Sequence, residues 1–401
     1  MPGRGVDAVM PSPCAREIRE GFCKDAFDYA RLAEQKQKRR FADTKKKVSA
    51  RDVLGEVAKV IERFEPHARM LNLETSVTKK SSFYPHKGIN YRASEENMFA
   101  LLDVLKPDIV SLANNHAMDF SREGMEDTLK FFDSIDNKMR VKRIGAGWNI
   151  ADAMKPAVLE NVYPYGFAPA RNDKRGVDVA AFGLCFEDSG VPREWQSTER
   201  SMGVFLATED DKVPERLLSA IAKMKKESSN NAIVVVSVHF GSNWGFEVPR
   251  AHVTAAKALV DAGADIVHGH SSHHAKTAML YKKKLILFGC GEFFNDYEGI
   301  RPHPGFPETS YLGHLRLLYF VDVDAKTHNF SKLEIVLMRQ KMFALTTLEN
   351  PREEAEQFFA TLRQQYAFGH LKLQLKGDGT TLIAWPDDAV RLRRRSDDDE
   401  L

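Results

Sequence analysis

Short apolar runs alternate with amphipathic stretches through the middle of the chain, from Met70 to about Glu298. Runs that are apolar throughout are typical of strands covered on both faces, whereas apolar residues at helical spacing are typical of helices that pack on a sheet. The predicted strands are Arg69–Leu73, Ile109–Ala113, Val141–Gly145, Val177–Leu184, Ala232–Val238, Asp265–Val267 and Leu285–Phe288. The predicted helices are Ser94–Leu105, Arg122–Ser134, Val213–Lys226 and Arg250–Ala262. This alternation predicts an α/β fold.

The two ends of the chain have different patterns. Before Glu65, the spacing of apolar residues predicts charged helices over Ala15–Gln35 and Arg51–Phe64. The stretch between them, Lys36–Lys47, holds seven basic residues, and we interpret it as a solvated linker rather than a polyanion site. The elements predicted near the C-terminus are strands Leu315–Val323 and Lys332–Met338, a helix over Arg352–Gln364 and a strand pair around Leu371–Trp385.

These patterns divide the chain into four parts. Residues 1–65 are predicted to form a helical N-terminal part and residues 66–345 the α/β core. Residues 346–390 are predicted to form a small C-terminal α+β extension, and residues 391–401 a charged, disordered tail.

Composition narrows the class of partner and the compartment. The chain has 401 residues, with 58 lysines and arginines against 56 acidic residues, so charge gives no general case for binding nucleic acid or an anionic membrane. Four cysteines are too few for a disulfide scaffold, which favours a reducing compartment. No apolar run is long enough for a membrane segment, and the N-terminus lacks the apolar core of a signal peptide. We therefore expect a cytoplasmic protein with no membrane segment and no nucleic-acid partner.

Chelating side chains follow four of the predicted strands. Ligands in open α/β folds bind at the carboxyl ends of strands, so these side chains are expected to converge at one edge of the sheet. Burying several imidazoles without partners is costly, and we therefore interpret the cluster of four histidines between positions 268 and 274 as metal-binding. A set without thiolates suits a divalent ion such as Mn, Fe, Zn or Co. The residues concerned are Glu74, Asn115 with His116, His239, and His270 with His273.

Four longer stretches of the sequence carry a family resemblance. They are SLANNHAMDFSREGMEDTL, RIGAGWNIADAMKPAVLE, VVSVHFGSNWGFEVP and LVDAGADIVHGHSSHHAKTAMLYKKKLILFGCGEFFNDYEG. These stretches resemble the CapA family, which is named for capsule and poly-γ-glutamate biosynthesis. GRGVD, LNLETSVT, KGINYRAS and DSGVPREW add to the match, which covers nearly the whole chain in order. The family is similar in fold to calcineurin-like metallophosphatases, so the resemblance implies a two-sheet α/β sandwich whose loops hold a dinuclear metal centre.

The resemblance implies a role for each ligand of that centre. Glu74 would bridge the two metals, and Asn115 would give an amide oxygen to one of them. His239 and His270 would be imidazole ligands of that same metal, whereas His273 would face the other. The implied cofactor is one or two divalent ions per chain, with Mn, Fe or Zn as candidates.

The resemblance implies that His116 contacts the substrate oxyanion or protonates the leaving group. Four further residues are candidates for contacting the substrate on the basis of their own chemistry. Lys87 and Arg193 are candidates for binding an anionic substrate, because fixed cations neutralise phosphate or carboxylate charge. Trp244 is a candidate wall of the pocket and Glu247 a candidate contact for a substrate amine. Residues expected to orient the ligands are Asn114, Glu292 and Asn295.

The N-terminus departs from the family pattern. Members of the family usually begin with an apolar strand and Gly-Asp-Val-Met before the Gly-Arg-Gly-Val-Asp run, and the aspartate just past that strand is a metal ligand. This sequence starts at Met1 and reaches Asp7 within the run. We therefore expect that strand and that aspartate to be missing, through a late gene start or a real loss, and we interpret Asp7 as structural. One tight ion per chain and an open sheet edge are the expected consequences.

Three functions remain open from the sequence. The first is a hydrolase that cleaves a phosphoester or a γ-glutamyl-type bond through a metal-bound hydroxide. The second is a non-catalytic accessory protein of poly-γ-glutamate synthesis that binds an acidic polymer. The third is a pseudoenzyme that lacks the first metal-binding motif. The substrate is accordingly a small molecule or an acidic polymer.

Overall fold

The computed structural model describes residues 1–41, 47–163, 176–208, 212–228, 232–300 and 311–387. Within those ranges the helices are α1 (Gly5–Val9), α2 (Phe27–Gln37), α3 (Ala50–Leu54), α4 (Val57–Phe64), α5 (Glu95–Leu105), α6 (Ser121–Met139), α7 (Ile150–Met154), α8 (Glu215–Glu227), α9 (Arg250–Ala262) and α10 (Pro351–Phe368). The first strands are β1 (Met70–Asn72), β2 (Ser76–Val77), β3 (Arg92–Ala93), β4 (Ile109–Ser111), β5 (Lys142–Ile144), β6 (Ala146–Gly147), β7 (Ala157–Val162), β8 (Val177–Phe186), β9 (Gly203–Val204) and β10 (Leu206–Ala207). The remaining strands are β11 (Ala232–His239), β12 (Ile266–His270), β13 (Ala278–Tyr281), β14 (Lys284–Leu287), β15 (Leu315–Val323), β16 (Phe330–Lys341), β17 (Ala344–Thr346), β18 (Leu371–Leu375) and β19 (Thr381–Pro386).

The largest sheet among the described residues has seven strands, in the order β10-β8-β11-β12-β14-β13, with β7 paired to β8. Its central strands β8, β11, β12 and β14 run parallel, so their carboxyl ends lie at one edge. β11 is almost entirely apolar, and its buried valines pack with α8 and α9 in one core cluster. The register of β11 against β12 pairs His239 with His270, which sets the two imidazoles side by side at that edge.

Two further sheets complete the core. One has the order β1-β4-β5 and is parallel, and the other has the order β15-β16-β19-β18, with β17 paired to β16. Within the described ranges β1 and β15 are edge strands, and both line a largely apolar cavity of about 800 Å³. Helices cover the sheets, and the predicted α/β sandwich is confirmed.

The N-terminal helices differ from the prediction. The helix predicted over Ala15–Gln35 is wrong in its first half, because α2 begins only at Phe27, after a turn in which the Asp28 carboxylate accepts the backbone N–H groups of residues 24 and 25. The helix predicted over Arg51–Phe64 is divided into α3 and α4 at Gly55. That glycine has φ +45°, and a Cβ there would lie 1.7 Å from the carbonyl oxygen of Leu345.

Some strands also differ from the prediction. β7 was not predicted, and β12 continues to His270, so His268 and His270 lie within a strand rather than after it. His239 is likewise the last residue of β11, because pairing with the neighbouring strands continues through it. α9 and β15 have their predicted bounds.

One predicted segment lies wholly outside the described residues, and another lies partly outside them. The charged tail 391–401 lies outside them, as do residues 42–46 of the basic stretch. None of the helices that the structure describes is both long and apolar enough to cross a bilayer.

Candidate metal centre

His239 and His270 form the centre of the candidate site. Their Nδ1 atoms lie 2.7 Å apart, so one ring donates a hydrogen bond to the other. Ser237 Oγ lies 2.8 Å from Nε2 of His270 and fixes the orientation of that ring. Burial lowers the pKa of both histidines well below the ordinary value. Both rings are therefore neutral at pH 7, which is the form that binds a metal ion.

Two buried atoms that could coordinate a metal ion lack hydrogen-bond partners within the described ranges. Nε2 of His239 and Oδ1 of Asn115 are buried, and neither has a hydrogen-bond partner among the residues that the structure describes. Oε1 of Glu74, just beyond β1, lies 4.0 Å from Nε2 of His239. Leaving such an atom unsatisfied costs about 1–3 kcal/mol. An imidazole nitrogen near a carboxylate, with an amide oxygen on the loop after the neighbouring strand β4, provides donor types that fit a divalent ion.

The surroundings of Glu74 disfavour its charged form. Burial raises its pKa, although Asn72 Nδ2 donates a hydrogen bond to its Oε2 at 3.2 Å. Asn114 joins this strand end to the next one, since its Nδ2 donates to Asn72 Oδ1 at 3.0 Å and its Oδ1 accepts from the N–H of His116 at 3.1 Å. The amide of Asn114 therefore positions both loops of the site.

His116 is paired with an acidic residue. Its Nδ1 lies 2.6 Å from Oδ2 of Asp119, and Lys87 Nζ lies 3.0 Å from the other carboxylate oxygen of Asp119. Burial lowers the pKa of His116 to about 4, so the ring is neutral at pH 7. Because Nδ1 is occupied by Asp119, Nε2 is the nitrogen that remains for another partner.

His273 lies in a separate ion pair. Its Nδ1 bonds the Glu292 carboxylate. Burial acts to lower the pKa of His273, but Glu292 outweighs it, and the pKa is raised. The pKa of Glu292 is lowered in turn, because His273 outweighs the effect of burial. The buried α-amino group of Met1 lies nearby, and it donates to the carbonyl oxygen of Phe294 at 2.7 Å.

The side chains in their present arrangement do not form a complete ion cage. Across the described ranges, no three His, Cys, Asp or Glu side chains are grouped so as to hold an ion. The reason is visible in the contacts, since His239 and His270 bind each other and His273 binds Glu292. The fit to a metal therefore rests on the two unpartnered donor atoms.

The family is settled by comparison with known proteins. Residues 1–297 match the family described as bacterial capsule synthesis protein PGA_cap. The chain belongs to this family. The resemblance to CapA proteins, with their calcineurin-like fold, is thereby confirmed.

Three proteins that are similar to this PGA_cap member are named for polyglutamine, capsule or PGA synthesis. The chain is 34% identical over 339 residues to a probable polyglutamine synthesis accessory protein of Mycobacterium tuberculosis, which covers 84% of this chain and 82% of that relative. It is 32% identical over 221 residues to the capsule biosynthesis protein CapA of Bacillus anthracis, covering 54% of this chain and 47% of the relative. It is 30% identical over 226 residues to the PGA biosynthesis protein CapA of Bacillus subtilis, covering 56% and 52%.

Of the four residues predicted to contact the substrate, two lie beside histidines of the candidate site of this PGA_cap member and two make other contacts. Lys87 lies at His116, and the half-exposed Trp244 ring lies 5.5 Å from the ring of His273. Arg193 is instead exposed and bonds the Glu187 carboxylate and a backbone carbonyl. The Glu247 side chain is exposed, and its backbone carbonyl accepts from Lys276 at 3.5 Å.

Two further predicted residues have structural contacts. Oδ1 of Asn295 accepts from Arg316 at 2.8 Å rather than from a histidine. Asp7 is buried, and its carboxylate accepts hydrogen bonds from the N–H of Cys14 at 2.6 Å and from Asn97 Nδ2 at 2.7 Å. Its contacts agree with the structural role expected for it.

Sequence reasoning missed several residues of the site. Asp119 lies three residues after His116, and that spacing was the available signal. Ser237 is the one polar residue before His239 in an apolar strand, and that isolated polar position was the available signal for it. Tyr91 and Tyr297 had no such signal, because they reach the site from segments about 200 residues apart, and the separation of 206 positions hides the contact of their hydroxyl groups.

Proposed function

We propose that this chain is a metal-dependent hydrolase that acts in the synthesis of a poly-γ-glutamate or capsule polymer, on a phosphoester or a γ-glutamyl-type bond. Membership of the PGA_cap family and the names of its relatives support the pathway. The observation that carries the chemistry is the buried Nε2 of His239, which has no hydrogen-bond partner among the described residues and lies 4.0 Å from the Glu74 carboxylate.

The residues that would hold an ion follow from this arrangement. His239, His270, Asn115 and Glu74 would bind one ion, and His273 with Glu74 would contribute to a second. When bound, a divalent ion such as Mn, Fe or Zn lowers the pKa of a coordinated water and polarises a phosphoryl or carbonyl oxygen. Glu74 supports this assignment, because its buried carboxyl gains a counter-charge when a cation arrives.

His116 provides the proton chemistry in this proposal. Asp119 accepts the Nδ1 proton in a hydrogen bond and so fixes the ring, which leaves Nε2 for the reacting group. In the neutral ring Nε2 carries a lone pair, so it first takes a proton from the attacking water and then passes that proton to the leaving group. Lys87 holds Asp119 and adds positive charge at the same place, which favours an anionic substrate.

The test combines metal content with turnover. Purified protein is loaded with Mn²⁺, analysed for bound metal and assayed with 4-nitrophenyl phosphate. His239→Ala should abolish metal binding and hydrolysis, because it removes an inner ligand. His314→Ala is the matched control, since its ring faces Glu354 in another part of the chain. Equal metal content in His239→Ala and the wild type would contradict the ligand assignment.

A non-catalytic accessory role is the second candidate. The contacts of His270 favour it, because His239 occupies its Nδ1 and Ser237 occupies its Nε2, which leaves neither nitrogen of that ring for an ion. The M. tuberculosis relative is also named as an accessory protein. In that case the metal-loaded wild type would bind poly-γ-glutamate without hydrolysing any ester or amide, and His239→Ala would retain the binding.

A further inference from the structure

A buried arginine lies behind the candidate metal centre. The guanidinium of Arg4 is stacked on the rings of Tyr29 and Tyr91, at 3.8 and 4.1 Å from their centroids. Asp296 binds it with both oxygens, at 3.1 and 2.7 Å, and Glu20 binds it at 2.9 Å. The arginine is therefore fixed in position and orientation.

The arginine sets the direction of a chain of hydrogen bonds. Arginine only donates, and Nη2 of Arg4 donates to the hydroxyl of Tyr91 at 3.1 Å. Tyr91 is fully buried, so its own proton needs an acceptor. In the described part of the chain, the acceptor within reach is the hydroxyl oxygen of Tyr297, 2.6 Å away. Tyr91 therefore donates to Tyr297.

The proton of Tyr297 is consequently left for another partner. The contact it makes in the structure is with Sδ of Met1, 3.8 Å away, and a thioether is a weak acceptor. The ring of Tyr297 lies 5.4 Å from that of His273, and the ring of Tyr91 lies edge-on to His116 at 4.4 Å. The two tyrosines thus connect the His116 side of the centre with the His273 side.

We propose that the hydroxyl of Tyr297 is a hydrogen-bond donor to an anionic oxygen of a phosphate bound in the candidate metal centre. This assignment rests on the proposed function, because the phosphate belongs to the substrate. Arg4 and Tyr91 are positioning residues, which direct the Tyr297 proton without contacting the ligand. Burial, with the nearby Glu292, raises the pKa of Tyr297, so the phenol stays protonated across the physiological range.

The test uses the full chain loaded with Mn²⁺ and inorganic phosphate as the probe, with affinity measured by titration calorimetry. Tyr297→Phe should weaken phosphate binding about ten- to hundredfold, as expected for the loss of a hydrogen bond to a charged group. Its metal content and melting temperature should match those of the wild type. Tyr29→Phe is the matched control, since Tyr29 also accepts from Arg4, at 2.8 Å, but donates to Glu20. The control should bind phosphate as the wild type does.

Tyr91→Phe gives an independent measurement should Tyr297→Phe fold poorly. It keeps the Tyr297 hydroxyl but removes the group that orients it, so phosphate affinity should fall a few-fold with metal content unchanged. Phosphate binding by Tyr297→Phe within twofold of the wild type overturns the proposal, as does a wild type that binds no phosphate. A wild type that binds phosphate but does not turn over 4-nitrophenyl phosphate contradicts the hydrolase function alone, and the loss of affinity in Tyr297→Phe then still supports the tyrosine contact.

Discussion

An apolar strand added in front of Met1 should fill the cavity between β1 and β15 and join their two sheets into one. Both strands are edges within the described ranges, and both line the cavity of about 800 Å³. Unpaired N–H and C=O groups along a strand edge are costly in apolar surroundings. Met1 and Glu74 line the same cavity, so an added segment enters it directly and ends beside the candidate metal centre.

The expected gain follows from the size of the strand. About six residues make a typical strand of roughly 20 Å. Four buried valine or isoleucine side chains contribute about 8 kcal/mol, and six backbone hydrogen bonds contribute about 6 kcal/mol. Ordering six residues costs about 9 kcal/mol, which leaves a net gain of about 5 kcal/mol. A gain of that size raises the melting temperature by on the order of 10 °C in a large domain.

The assay compares three extensions of the same length. The first is a Val/Ile strand followed by Gly-Asp, the second ends in Gly-Asn, and the third is a Gly/Ser segment. Both strand extensions should raise the melting temperature and slow amide hydrogen exchange in β1 and β15. Elemental analysis should show an increase from one metal ion towards two per chain only for the Gly-Asp version, because the added carboxylate completes the second site.

Two results would refute this reasoning. Equal melting temperatures for the strand and Gly/Ser extensions would mean that the cavity does not accept a strand. Two ions in the unextended protein would mean that the division into one tight and one weak metal site is wrong.

The remaining predictions concern proton transfer and pH. His116→Ala should leave the metal content unchanged but lower hydrolysis about 10²–10⁴-fold, and a parallel loss of metal would remove His116 from its proposed role. Burial acts to raise the pKa of Glu334, but Lys332 and Lys376 outweigh it and lower the pKa. Glu334→Gln should therefore destabilise the protein by about 1 kcal/mol at pH 7. The difference in urea midpoints should start to shrink as the pH falls below 4.5, the ordinary pKa of the carboxyl, and should disappear below the lowered pKa of the folded protein; a difference that is constant with pH would exclude this ion pair as its cause.

The regular elements could be predicted where one physical signal dominates. α9 was predicted with its bounds because apolar residues at helical spacing end at Gly263, which has φ +121° in the structure. The helix over Ala15–Gln35 was partly wrong because the carboxylate of Asp28, in the first turn of α2, accepts the backbone N–H groups of residues 24 and 25 and stabilises a turn before that helix. Gly55 divides a second helix because Leu345, distant in sequence, comes too close for any side chain. Such tertiary contacts leave no periodic signal.

The site could be predicted by position but not by contact. The predicted strand ends placed His239 and His270 at one edge of the sheet. In the structure, the pairing of β11 with β12 sets the two residues side by side. The pattern could not show that the two rings bind each other, because that depends on rotamers rather than on spacing. It also could not show the ion pair of His273, whose partner comes from a separate loop.

The energetics of the centre argue for a bound cation rather than a purely structural role. Two unpartnered buried donor atoms cost about 2–6 kcal/mol together, which is comparable with the net stability of a folded domain. The Glu74 carboxyl adds to this cost, because burial disfavours its charged form. Apolar side chains of similar size at His239 and Asn115 would avoid the cost altogether. A cation that bound Nε2 of His239 and the Glu74 carboxylate would remove both of their penalties at once, and this is the physical reason that we propose for placing the two groups together.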